Sequence, residues 1–224
     1  MTDRRLGRLP QFDERSRLFK ISAVVPKTPR SYTWRCQRVL DQGDEGSCVG
    51  HGVAHELIAR PVEALTVDHK YARETIYWGA QKIDEYPGGS YPGAKPFSEG
   101  SSVLAGCKVA KSLGWMDSYL WSFGIDDLIL GVGYNGPAVL GIDWYDDMMD
   151  TDAKGFIHAT GEVAGGHCIL CNSVNISGKY FKLHNSWGPS WGTGGECKIS
   201  FSDMTKLLKA EGEAAFFVGR HIVK

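Results

Sequence analysis

The order of apolar patterns along the chain predicts an α+β protein, with a helical lobe followed by an antiparallel β lobe. Three observations carry this expectation. Helical spacing of apolar residues dominates positions 47 to 114, short strand-like runs dominate from 137 onward, and Gly, Asp, Asn and Ser turns separate those runs. Helices first and strands later is the pattern of segregated helical and sheet layers. A chain of 224 residues can bury a substantial core, as one large domain or as two lobes sharing one site.

Residues 1 to 30 lack periodicity and carry Pro10, Pro26 and Pro29, so they read as an extended arm in which Arg4, Arg5 and Arg8 form a solvated tail. The remainder, 31–224, reads as one domain, mainly helical over about 31–115 and mainly β over about 116–224. Ser47 is a good N-cap for a helix over 47–60, with Val49, Val53, Ala54 and Leu57 on its apolar face and Pro61 as its stop. A second helix is predicted over 68–84, with Tyr71, Ile76, Tyr77 and Ala80 as core candidates. A Pro- and Gly-punctuated loop follows, then a helix over 101–114 closed by Gly114 and a short one over 125–132. "PAVLGIDW", "GFIHAT", "HCILCNSVN", "KYFKLHN", "ECKIS" and "AAFFVGR" read as strands, and "NISGKY" (175 to 180) as a hairpin connection.

Composition narrows the function. Twenty-five basic and 26 acidic residues leave a net charge of −1, with no run of like charges, so neither nucleic acid nor an acidic membrane is expected as a partner. No stretch is apolar enough to span a bilayer, and "MTDRRLGRLPQF" has no apolar region of the signal-peptide kind. A cytoplasmic location is therefore expected. The six cysteines, Cys36, Cys48, Cys107, Cys168, Cys171 and Cys197, are expected as free thiols. "CILC" (168 to 171) has redox or zinc spacing, but residues three apart on a strand face opposite ways, which favours plain packing.

Cys48 is the first chemical candidate. A free cysteine is most often a small buried hydrophobe. Cys48, however, opens the predicted helix at 47–60, where free N–H groups and the helix dipole favour an anion. Such a place can lower a thiol pKa from about 8.5 into the ~3.5–7.5 range and make a thiolate nucleophile. The Cys48 N–H could serve a developing oxyanion, and Gln42, a loop residue by default, could add a neutral side-chain donor. Among the seven histidines, His51 and His55 lie on the same helix and are better placed for packing. His69 and His221 have no suggestive neighbours, and His158 could be core or surface. His167 follows Gly165-Gly166 at the start of an apolar strand. Asn185 could orient its ring, with Trp187 shielding that bond from water.

"LDQGDEGSC", "GGHCIL" and "NSWGPSWG", in that order, resemble the three signature blocks of the papain-like cysteine peptidases, and "TWR" (33 to 35) resembles a segment near the start of the mature enzymes. The resemblance runs from about Thr33 to the C-terminus. It implies a two-lobe fold, helices in one lobe and an antiparallel β-barrel in the other, with the cleft between them. It implies Cys48 as nucleophile, His167 as acid and base, Asn185 as orienting residue and Gln42 as oxyanion donor. Gly100, Gly166 and Trp187 would border the substrate, Gly100 on an edge where an extended peptide pairs. Glu45 stands where secreted members carry a disulfide cysteine, and "CVGHG" lacks the usual aromatic after the nucleophile. The long eukaryotic pro-domain has no counterpart in the roughly 30 residues before "TWR", as in compact bacterial or phage-type members. Those residues could lie across the cleft.

The resulting expectation is a thiol endopeptidase acting on a peptide or protein substrate, without metal or organic cofactor. The same machinery would serve an amidase or isopeptidase on cell-wall or modified peptides. A catalytically silent binding or virion-associated protein on the same fold is the third reading. Oligomeric state is left open.

Overall fold

The structure, a computed structural model, describes residues 5–223. Arg4 of the expected solvated tail lies outside the described residues. Two hydrophobic cores share one sheet. The first lies between helix α1 (Cys48–Ile58), a π-helix (Tyr71–Tyr77) that continues as α2 (Trp78–Gln81), helix α3 (Val103–Ser112) and one face of the sheet. The second lies between the opposite face and helices α4 (Ile125–Tyr134) and α5 (Phe201–Lys209).

The strands are β1 (Tyr32–Thr33), β2 (Met116–Ser122), β3 (Ala138–Tyr145), β4 (Phe156–Ile157), β5 (Val163–Asn175), β6 (Tyr180–His184), β7 (Glu196–Ser200) and β8 (Glu213–Arg220). Their order is β2-β8-β3-β5-β6-β7-β4, with β1 added on β5. Every pairing is antiparallel except the short β4–β7 contact. The sheet is open, with β2 and β4 at its ends, and this agrees with the α+β, two-lobe expectation. β5 shows why alternation divides the lobes: Cys168 and Leu170 enter the first core, Ile169 and Cys171 the second. Both members of "CILC" are thus buried on opposite faces, and all six cysteines are free.

Helix α1 is buried on every side rather than on one apolar stripe. Close approach makes this possible. A Cβ on Gly50 would overlap the Ala72 carbonyl of the π-helix, and one on Gly52 would lie 2.7 Å from the Cys168 sulfur in β5. Small residues at these two positions let helix, π-helix and strand meet. Ser47 precedes the helix, but its hydroxyl makes no cap bond and faces His51 Nδ1 at 3.3 Å. Ser102 is a true cap, accepting from the Ala105 N–H of α3.

The sequence patterns do not disclose the two-residue strand β1, strand β2 or helix α5. Strand β2 carries no clean alternation in its burial, so period-2 reading misses it. α5 is short and mostly polar, but Ser200 accepts the Asp203 N–H, and Met204, Leu207 and Leu208 form its buried stripe. Those spacings were the available signal. The arm is not featureless either. It turns twice in 3-10 helices (Glu14–Leu18 and Ile21–Ala23) and buries Ile21 in the second core.

Candidate active site

Cys48 begins α1 and is fully buried. Its sulfur accepts the Cys168 N–H at 3.4 Å, so the thiol rests on the strand residue next to His167. The expected low thiol pKa is not found. Burial pushes the Cys48 thiol up to about 11, although the amides of Cys168, Gly7 and Val49 and the charge of Arg8 pull the other way. The helix terminus offers its donors as the local argument requires, but removal of water outweighs them.

His167, on β5, places Nε2 2.8 Å from Asn185 Oδ1. The same oxygen accepts the Ser186 N–H at 2.8 Å, which identifies it as the acceptor and gives Nε2 the proton. The Nδ1 lone pair then has no hydrogen-bond partner among the described residues. Burial lowers the His167 pKa to about 4, against the pull of the Asn185 bond. Trp187 covers the ring at 4.8 Å, and Trp144, whose part the sequence did not disclose, meets it edge-on at 4.7 Å.

Gln42 is buried, not a surface loop residue. Its Oε1 accepts from Ser186 Oγ at 2.7 Å and its N–H donates to the Ser186 carbonyl at 2.8 Å, tying it to the residue after Asn185. Its Nε2 donates to the Glu45 carbonyl at 2.9 Å and to the Arg5 carbonyl at 3.0 Å. The Glu45 carboxylate takes Arg73 Nε at 2.6 Å and Ser90 Oγ at 2.9 Å, fastening the Gln42 loop to the π-helix.

The arm occupies the space between the lobes. Gly7 and Arg8 donate to the Gly166 carbonyl at 3.1 and 2.9 Å, Leu9 donates to the Ser101 carbonyl at 2.8 Å, and Ser101 donates to the Gly7 carbonyl at 2.9 Å. The Gly7 amide also lies close enough to the Cys48 sulfur to favour its thiolate. Gly166 and Ser101 therefore hold an extended chain from opposite sides. Gly100, with φ +94°, is adjacent but engaged inward: its N–H donates to Tyr77 Oη and its carbonyl accepts from Gln81. Arg8 departs most from the sequence reading. It is 4% exposed instead of solvated, because its guanidinium finds a carboxylate, Glu213, 205 residues away.

The remaining histidines sort by burial. His51 bonds the Ser47 carbonyl and His69, and His55 Nε2 accepts the Leu40 N–H, which fastens the Gln42 loop to α1. Both are fully buried packing residues. His158 and His221 are exposed beside Asp152 and Asp117.

His184, next to Asn185, faces Glu196 Oε1 with Nδ1 (3.3 Å) and the Arg38 carbonyl with Nε2 (3.0 Å). Burial opposes its charge, but hydrogen bonds with Cys36, Glu196 and Arg38 outweigh it and push its pKa up to about 10. Glu196, which burial alone would raise, is held down to about 2 by His184, Asn172 and Lys182. His184 therefore stabilises fully below its ordinary 6.5, a contribution lost as pH rises through about 10. Glu196 contributes above its ordinary 4.5 and loses this as pH falls through about 2. The melting-temperature deficit of Glu196→Gln should thus be greatest between 4.5 and 6.5 and shrink toward pH 10. A deficit independent of pH would rule the pair out as a source of stability.

Among the described residues no group of three or more His, Cys, Asp or Glu side chains is placed to hold a metal ion, and no helix is long and apolar enough to cross a membrane.

No family model matches the chain. Over 87 residues it is 30% identical to cathepsin B of Dictyostelium discoideum, a match spanning 38% of this chain and 28% of that protein. With a cathepsin B-like cysteine proteinase of Schistosoma japonicum it shares 28% identity over 85 residues, 33% of this chain and 25% of the relative. The chain thus matches under a third of the length of these curated relatives. Among solved structures, xylellain, a cysteine protease from Xylella fastidiosa, superposes with a TM-score of 0.66 at 17% identity, covering 98% of both chains. The bromelain protease from Ananas comosus gives 0.56 at 14% identity, covering 86% of this chain and all of that one. At such identities these likenesses speak for the fold.

Proposed function

We propose that the chain is a papain-like cysteine peptidase, an endopeptidase with Cys48 as its nucleophile. One observation carries the reading. The Cys48 sulfur rests on the amide that follows His167, while Asn185 holds that ring by its far nitrogen and leaves the Nδ1 lone pair available. His167 Nδ1 takes the thiol proton, and the thiolate attacks a peptide carbonyl carbon. The Cys48 N–H and Gln42 Nε2 receive the oxyanion, a donor of this kind contributing about 3 kcal/mol. The imidazolium returns its proton to the departing amine, and water then cleaves the thioester with His167 as base.

The described arm is the closed state of this site. The Arg5 carbonyl occupies Gln42 Nε2, and the Gly7 amide, not a carbonyl carbon, faces the sulfur. Substrate enters only when the arm leaves. The test is hydrolysis of a peptide library by the full chain under reducing conditions, beside a full-length variant whose arm cannot seat. Cleavage is the expected result. Its absence from both would leave a binding module on a peptidase fold and overturn the proposal.

A further inference from the structure

Glu45 sits in a loop with little stiffness of its own. Gly43, at φ +63°, and Gly46 lie on either side of it, and the loop joins Gln42 to the start of α1. Its carboxylate nevertheless takes three hydrogen bonds. Arg73 of the π-helix reaches it twice, Nε to Oε2 at 2.6 Å and Nη2 to Oε1 at 3.2 Å, and the Ser90 hydroxyl donates to Oε1 at 2.9 Å. A guanidinium bonded to both oxygens fixes a carboxylate in direction as well as in place. Both partners are held in turn. The Arg73 guanidinium lies 4.7 Å over the Trp78 ring, and the Ser90 N–H donates to Oε1 of buried Gln81 at 2.9 Å.

The carbonyl of the same residue faces the site. It accepts Gln42 Nε2 at 2.9 Å and the Ser47 N–H at 2.7 Å. Gln42 Nε2 carries two hydrogens, and its partners, the carbonyls of Glu45 and Arg5, can only accept. With Oε1 bound to Ser186 Oγ and one N–H bound to Glu45, the amide is fixed at both ends. The other N–H then points to where the Arg5 carbonyl oxygen lies, and when the arm leaves this direction is open to a developing oxyanion. A donor that swings away loses its value, because such bonds act only when they are aimed before the reaction starts.

We propose that Glu45 is a positioning residue for the reaction: the clasp of Arg73 and Ser90 on its carboxylate holds its carbonyl where it aims Gln42 Nε2 at the oxyanion. The inference rests on the peptidase reading above. The edge at Gly100 and Ser101 does not share this dependence. Gln81 Nε2 donates to the Gly100 carbonyl at 3.0 Å, and Tyr77 Oη accepts the Gly100 N–H at 2.8 Å, both without Glu45. Loss of the clasp should therefore lower kcat and spare KM.

The test is a double-mutant cycle of Glu45→Ala and Gln42→Ala, read as kcat and KM on one cleaved peptide. Every chain is full length and carries Gly7→Val, so that the arm is unseated throughout. Gln42→Ala should lower kcat about 10²- to 10³-fold, the loss of one oxyanion donor. Glu45→Ala should lower kcat about 10-fold or more with KM changed less than about 3-fold, and should cost less than about 3-fold in Gln42→Ala. Alkylation of Cys48 by iodoacetamide forms no oxyanion, so its rate in Glu45→Ala should stay within about 2-fold, which separates aim from a general loosening of the site. An unchanged kcat, equal losses with and without Gln42, or a Cys48 rate that falls in step with kcat overturns the inference and leaves the peptidase reading standing. If Glu45→Ala does not fold, Glu45→Gln, which keeps the side-chain shape without its charge, decides by the same cycle. No hydrolysis by any chain overturns the peptidase reading and the inference with it.

Discussion

Valine in place of Gly7 should make Cys48 react with iodoacetamide about 100-fold faster near neutral pH, in the otherwise unaltered full chain. A Cβ at position 7 would overlap the Gly46 carbonyl, and backbone cannot step aside as a side-chain tip can. The bonds from Gly7 and Arg8 to Gly166, and those exchanged with Ser101, are then lost together. With its cover gone the thiol falls from about 11 toward its ordinary 9.0. Below pH 9 two pKa units are about a hundredfold in thiolate, and an imidazolium nearby would add to it. Mass spectrometry of the alkylated peptides measures this, with half-buried Cys36 and the four other buried thiols as internal references. Turnover should rise in parallel. An unchanged Cys48 rate, with the arm shown to be open by its new sensitivity to proteolysis, would mean that the arm is not what closes the site.

Cys48→Ala and His167→Ala should each reduce peptide hydrolysis by about 10⁴-fold or more, since nucleophile and base act as a unit. Cys48→Ala removes only a sulfur that accepts one backbone bond, so its melting temperature should stay within a few degrees of the unaltered chain. Asn185→Ala should do less, about 10- to 100-fold, because it orients a ring that can still exchange protons. His51→Ala is the control. It deletes a buried ring bonded to Ser47 and His69 and should lower stability more than turnover at permissive temperature. If His51→Ala abolished hydrolysis while His167→Ala spared it, the assignment of the base would fall.

Several features of the site were legible locally. A cysteine after a capping residue, a histidine after two glycines on an apolar strand, and an Asn-Ser-Trp turn each state their chemistry within a few residues. α1, α3 and α4 followed from helical spacing, and β5 with its two inward faces from an unbroken apolar run. The contact of Trp144 with His167 is not legible locally, because an aromatic in a strand carries no mark of its neighbour across the sheet. Ser101, not Gly100, makes the edge bonds to the arm, a difference of one residue that only the chain path decides.

Two matters lay beyond any local reading, for one physical reason. Arg8 and Glu213 carry no periodicity linking them; they meet because a segment near the start of the chain crosses a cleft that ends at β8. The Cys48 thiol stands at a helix terminus that should lower its pKa, and the sequence determined that much along with the type and order of the catalytic candidates. Tertiary structure decided the sign of the shift, because the packed core around Cys48 excludes water from the sulfur and desolvation exceeds the pull of the surrounding amides. Local sequence sets which groups are offered; burial by distant segments sets the charge they carry.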